Sequence, residues 1–241
     1  MKKVLLIITA IILFSGFLCH AANFDDIMKG LGTPAATKQG PDDATTVKGL
    51  KDALSVGTKN AVGSVSKVDG YFANPAIKIL LPDRLQKVAD ILGKLGYQKQ
   101  VDDFILTMNR AAEKAAPKAT AIFVDAIKEM SFDDARKILT GDDTAATEYF
   151  KSKTQQKLYN EFKPSVSDSM NKVGVAHAYK EMMGKYTSSM PFVKPESMDL
   201  DHYVTNKSLD GLFTMVGQEE KNIRTNPAAR VTDALKRVFG K

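Results

Sequence analysis

Apolar positions recur at helical spacing along most of this chain. Val47, Leu50, Leu54, Ala61 and Val65 predict an amphipathic helix over roughly residues 47–65. "PDRLQKVADILGKLG" predicts a compact second helix, with Pro82 near its start and Gly96 past its end. The longest periodic run follows. Val101, Phe104, Ile105, Met108, Ala112, Ala115, Ala119, Ile122, Phe123, Ala126, Ile127 and Met130 share one stripe, inside which Pro117 should kink or divide the helix. "SFDDARKILTG" is punctuated at both ends, with Ser131 and Asp134 spaced as a capping box and Gly141 as a stop. "DDTAATEYFKSKTQQKLYNEF" predicts another helix, interrupted at Pro164 and resumed to about Val173, and a further one covers Val175 to Tyr186. Leu209, Leu212, Phe213 and Val216 open a helix that runs to about Thr225, and "AARVTDALKRVF", after Asn226-Pro227, predicts the last.

Two stretches depart from this period. In "DGYFANPAIKILLPDRL" Ile77, Ile79 and Leu81 alternate with Lys78 and Leu80, and in "MPFVKPESMDLDHYVTN" Met198 and Leu200 alternate with Asp199 and Asp201. Two extended pieces in one helical domain are most economically paired with each other. The expected fold class is therefore mainly α, a helical bundle with one small two-stranded antiparallel ribbon, about residues 76–81 with 198–204. Such a ribbon must pack on the helices, because a lone pair of strands is marginal in water. Tyr71 and Phe72, just before the Asn74-Pro75 turn, are candidate pocket aromatics, with core or lid packing as their other reading.

The N-terminus changes the picture next. Lys2 and Lys3 precede an apolar run from Val4 to Leu18, and Ala21 and Ala22 follow, the pattern of a secretory signal over residues 1–21. The run is about 15 residues, short of the roughly 20 that span a bilayer. Residues 22–46 then read as a short helix, Phe24 to Leu31, and a flexible linker rich in Gly, Pro, Thr and Asp, leaving 47–241 as a single helical domain. Export to the periplasm or beyond is expected. Lipidation at Cys19 or retention as an anchor is the alternative, with Leu18 standing where lipoprotein signals carry a small residue. Cleavage near Ala21 removes the only cysteine, and with it any thiol or disulfide chemistry. The 34 basic residues lose Lys2 and Lys3, so 32 face 28 acidic ones, a mature charge near +4 on a mixed surface. Neither that excess nor export favours nucleic acid as a partner.

Catalytic residue types are scarce. His177 and His202 are the only mature histidines, and the sequence implies no metal site and no cofactor: no P-loop, no glycine-rich dinucleotide fingerprint and no nucleophile elbow. Acidic doublets such as Asp133-Asp134 and Asp142-Asp143 sit at helix starts, where carboxylates cap amides. The informative constellation is "LTMNRAAEKAAPKA". Arg110 and Glu113 stand three apart among small and apolar residues, and charges placed there cost several kcal/mol unless paired. In "LDGLFTMVGQEEKNIR" Glu219 or Glu220 interrupts an apolar face, with Arg224 one turn beyond Glu220. Arg110, Glu113, Glu220 and Arg224 are thus expected to form an ionic network between two core helices. That network either fixes helix register or floors a ligand pocket, with Arg110 gripping an anionic group.

"DGYFANPAIKILLPDRL", "MNRAAEKAAPKA", "SFDDARKILTGDDTAATEYF" and "NKSLDGLFTMVGQEEKNIRTNPAARVTDALKRVFG" resemble a family of exported bacterial proteins catalogued as domain of unknown function 4197, over roughly residues 47–239. The resemblance implies a mostly helical exported protein and no established activity. The functional expectation is a non-catalytic binding or envelope-associated module for a hydrophobic or anionic small ligand or a protein partner. The alternative is a hydrolase or lyase using carboxylates such as Asp69, Glu113 or Glu220.

Overall fold

The computed structural model describes residues 43–172, 175–189, 199–230 and 236. Its helices are α1 (Asp43–Val65), α2 (Asp83–Lys94), α3 (Gln98–Ala115), α4 (Ala119–Glu129), α5 (Phe132–Thr140), α6 (Ala145–Lys172), α7 (Val175–Ser189) and α8 (Leu200–Thr225). Short 3-10 turns at Ala116–Lys118 and Pro227–Ala229 complete the described elements. The expected helix at residues 24–31, the linker up to residue 42 and most of the last expected helix lie outside the described residues. Residues 43–46, expected as linker, already belong to α1.

α6 and α8 pack along each other most extensively, with α1 laid on α8 and α3 on α6. Where α4, α6 and α8 meet, Phe123 stacks edge-on against Phe150 and Phe213, with centroids 5.1 and 6.2 Å away. α3 is central for the reason its composition gives. Ala111, Ala112 and Ala115 are fully buried, as are Ala116 and Ala119 just beyond its end, and side chains that small let neighbouring helices approach closely. Pro117 divides the long stripe as its chemistry requires, because it offers no N–H to the carbonyl one turn back. The capping box at the start of α5 closes in both directions: Ser131 accepts from the Asp134 amide, and Asp134 accepts from the Ser131 amide.

Pro164 behaves differently from expectation. α6 runs unbroken through it to Lys172. The proline is exposed, so the carbonyl it leaves unpaired faces water, while Phe162 and Val166 on either side are fully buried and hold the helix in line.

The two-stranded ribbon is the larger correction, since among the described residues there is no strand. Residues 200–204 are the first turn of α8, and Asp199, taken as part of an alternation, is its N-cap and accepts from the His202 amide at 2.8 Å. Residue 198 lies outside the described residues. In the segment before α2 burial alternates as the pattern predicts, with Ile77, Ile79 and Leu81 buried and Leu80 outward, although Ile77 still belongs to a turn in which the Asn74 carbonyl accepts from the Ile77 and Lys78 amides at 3.2 and 2.8 Å. The segment's partner is a side chain. The Asn109 amide of α3 accepts from the Ile79 N–H at 2.9 Å and donates to the Ile79 carbonyl at 2.8 Å, supplying both halves of a strand's ladder at one residue. The Tyr203 hydroxyl donates to the Leu80 carbonyl at 2.9 Å from α8.

Candidate functional site

The charges that interrupt apolar stripes sort into two separate joints, each built around one buried carboxylate. Glu113, only 4% exposed, projects from α3 toward the loop that follows α1. Its Oε1 accepts the Tyr71 and Phe72 amides at 3.1 and 3.2 Å, and its Oε2 accepts from Arg110 Nη1 at 2.6 Å. Arg110 reaches on to Asp69 Oδ1 at 2.7 Å, and Asp69 holds a left-handed backbone with φ of 67°. A residue other than glycine in that conformation needs its surroundings to fix it, and Arg110 does so. Lys78 and Arg110 both lie over the Phe72 ring, 4.1 and 5.9 Å from its centroid.

Tyr71 is fully buried, and its hydroxyl donates to the Ser208 carbonyl of α8 at 2.6 Å. Burial, with the Glu113 charge adding to it, pushes the phenol far above its ordinary range, so it stays a donor. Gly211 makes room for the ring, since a Cβ there would stand 2.6 Å from a Tyr71 ring carbon. Tyr71→Phe is expected to lower stability by about 1 kcal/mol, measured by urea denaturation with an unchanged m-value.

Glu220, 7% exposed, makes the second joint. It projects from α8 onto the first turn of α6, where its oxygens accept the Ala146 amide at 2.9 Å, the Thr147 amide at 2.8 Å and the Thr147 hydroxyl at 2.7 Å. An acidic group at the positive end of a 28-residue helix caps its free amides, here from another helix. Arg224 meets Glu220 Oε1 through Nε at 3.0 Å and Nη2 at 2.9 Å, and Nη2 also donates to the Ile138 carbonyl at 2.8 Å. One ion pair therefore ties α5, α6 and α8 together.

The expected network thus becomes two pairs, Arg110–Glu113 and Glu220–Arg224. The level of α8 that receives Tyr71, at Gly211, is separated from Glu220 by a helical rise of about 14 Å. Each arginine meets its own carboxylate and at least one further oxygen of the fold.

Beside the second joint lies an open groove of about 440 Å³ between α6 and α8. Thr144, Thr147, Glu148 and Lys151 form one wall, and Asp210, Thr214, Gly217, Gln218 and Lys221 the other, with Phe213 beneath. Thr147 belongs to both groove and joint, so the Glu220 carboxylate fixes one wall. Neither Arg110, Tyr71 nor Phe72 lines this groove.

The profile of a family described as a protein of unknown function, DUF4197, matches residues 40–240. The chain belongs to the DUF4197 family. No curated protein and no solved structure matches it. Membership of DUF4197 brings no assigned activity, so functional argument rests on the geometry of this chain.

The histidines of this DUF4197 chain stand outside both joints. His177 is exposed on α7, with Glu181 4.0 Å away. His202 lies on the first turn of α8, its Nδ1 2.7 Å from the Tyr159 hydroxyl. Among the described residues no three His, Asp or Glu side chains gather as a metal site would require. Sequence reasoning missed Asn109 and the Ala146–Thr147 amides. Asn109 carried a readable signal, a polar residue inside the stripe of α3. The amides carried none, because a backbone donor is anonymous in sequence.

Proposed function

We propose that this chain is an exported, non-catalytic binding module whose ligand site is the groove between α6 and α8. The observation that carries the reading is the conjunction at Thr147: a groove of small-molecule size has one wall locked by a buried carboxylate. Preorganised walls of this kind favour binding because little is left to order when a ligand arrives. The lining points to a small amphipathic ligand with a singly charged anionic or zwitterionic head. Lys151 and Lys221 offer positive charge, Glu148 and Asp210 repel a multiply charged anion, and Phe213 with the threonine methyls meets an apolar body. The carboxylate-based hydrolase or lyase is less well supported. Asp69, Glu113 and Glu220 are each held by arginine, and the two buried ones are filled by backbone donors as well, so none of these three is free to act as acid or base in the groove. Export is supported by the N-terminal sequence pattern.

Gly217 provides the test. A Cβ built there meets only Thr147 side-chain atoms at 3.6 and 3.8 Å, ordinary contact, so a larger residue enters the groove without touching backbone. Gly217→Leu also favours the helix by about 0.5–1 kcal/mol, so the variant is expected to fold. Native mass spectrometry of protein isolated from its own host's envelope should show a small-molecule adduct on the unaltered chain and none on Gly217→Leu. An unaltered chain free of adducts, or an adduct that survives the substitution, contradicts the reading.

A further inference from the structure

The exposed face of α2 carries a charge pattern that neither joint nor groove uses. Asp83, Lys87, Asp90 and Lys94 are all exposed and alternate in sign at spacings of four, three and four. At 3.6 residues per turn they fall within about 60° of arc, directly opposite the buried stripe of Leu85, Val88 and Leu92. Spacings of three and four allow pairing within a helix, as Lys99–Asp103, Asp125–Lys128 and Lys207–Asp210 do elsewhere. On α2 that does not happen: among the described residues Lys87, Asp90 and Lys94 form no ion pair.

The order of signs is self-complementary. Set antiparallel against itself about a two-fold axis, the helix places Asp83 opposite Lys94 and Lys87 opposite Asp90, each contact made twice.

We infer that this face is an interface between two copies of the chain, with α2 packed antiparallel on its counterpart, Asp83 facing Lys94 and Lys87 facing Asp90. A two-fold contact is isologous, so a surface whose charges complement themselves is what it requires. Twelve residues of helix bury less than the roughly 1,200–2,000 Å² of a standard interface, so the dimer is weak and sensitive to salt.

Sedimentation velocity on the mature full-length chain tests this. At low ionic strength and protein up to ~0.5 mM, a monomer–dimer equilibrium in the micromolar range is expected, shifting toward monomer in ~0.5 M salt. Lys87→Glu or Asp90→Lys alone places like charges opposite each other twice and should weaken association at least about tenfold. The double variant Lys87→Glu with Asp90→Lys restores opposite signs and should recover association to within about threefold. All four positions are exposed, so circular dichroism should show the same helix content throughout. A monomer at every concentration, single variants that associate as tightly as the unaltered chain, or a double variant no tighter than the single ones would each overturn the inference. None of these outcomes bears on the α6–α8 groove.

Discussion

Replacing Glu220 with alanine is expected to destabilise the domain by about 3–5 kcal/mol, the largest effect of any single change discussed for this chain. The substitution leaves the Ala146 and Thr147 amides without their acceptor at a buried helix start, and it takes from Arg224, 11% exposed, the carboxylate that two of its nitrogens meet. For a domain of this size that loss lowers the melting temperature by about 10 °C. Adding Arg224→Ala should recover part of it, since the half-buried positive charge that had faced Glu220 is then gone, and the remainder measures the uncapped start of α6. Thermal denaturation of the three variants provides the comparison. A Glu220→Ala shift below about 3 °C would mean that water reaches these groups and that the joint contributes little.

Glu113→Ala is the second large effect, expected at about 3 kcal/mol. It removes the acceptor for the Tyr71 and Phe72 amides, but Arg110 keeps Asp69, so less charge is stranded than at Glu220. The consequence reaches further than the count of bonds suggests. Tyr71 hangs between Glu113 through its amide and Ser208 through its hydroxyl, so α3 and α8 are coupled by one residue of the intervening loop. Loss of the clamp should therefore loosen Tyr71 from Gly211 as well. Near-ultraviolet circular dichroism, which reports fixed aromatic packing, is expected to weaken in Glu113→Ala before far-ultraviolet helix signal is lost. Equal, simultaneous loss of both signals would contradict that order.

Much of this was legible in the sequence, and the failures share a cause. Helical spacing gave the helices, Pro117 gave the break, and Ser131 with Asp134 gave a cap, because each is a short-range relation between side chains. The partners Arg110–Glu113 and Glu220–Arg224, three and four residues apart, belong to the same kind. What remained hidden were long-range acceptances: Glu113 for amides about 41 residues away and Glu220 for amides about 73 away. Sequence shows that a buried charge must be satisfied, and backbone donors that satisfy it have no side-chain signature. Grouping the four charges into one network followed from assuming that charges seek charges.

The ribbon failed for a related reason. Alternation correctly marked Ile77, Ile79 and Leu81 as one buried face, but the backbone there needs donors and acceptors rather than a strand as such, and Asn109 supplied them at Ile79. Over residues 199–204 the alternation was too short to exclude a helix start. Asp199 as cap, with Leu200 and Tyr203 packed against the core, is equally compatible with the same residues.

The central claim is that the two buried carboxylates are separate structural joints, each holding backbone amides in place. Site-resolved hydrogen exchange by NMR tests it most directly, on the unaltered chain, Glu113→Ala and Glu220→Ala. Under native conditions the Tyr71, Phe72, Ala146 and Thr147 amides should exchange slowly in the unaltered chain. Beyond the uniform change that lower global stability brings to all slow amides, Glu113→Ala should release Tyr71 and Phe72 alone, and Glu220→Ala should release Ala146 and Thr147 alone. Fast exchange at these amides in the unaltered chain, or release at both joints by either single substitution, would contradict the account.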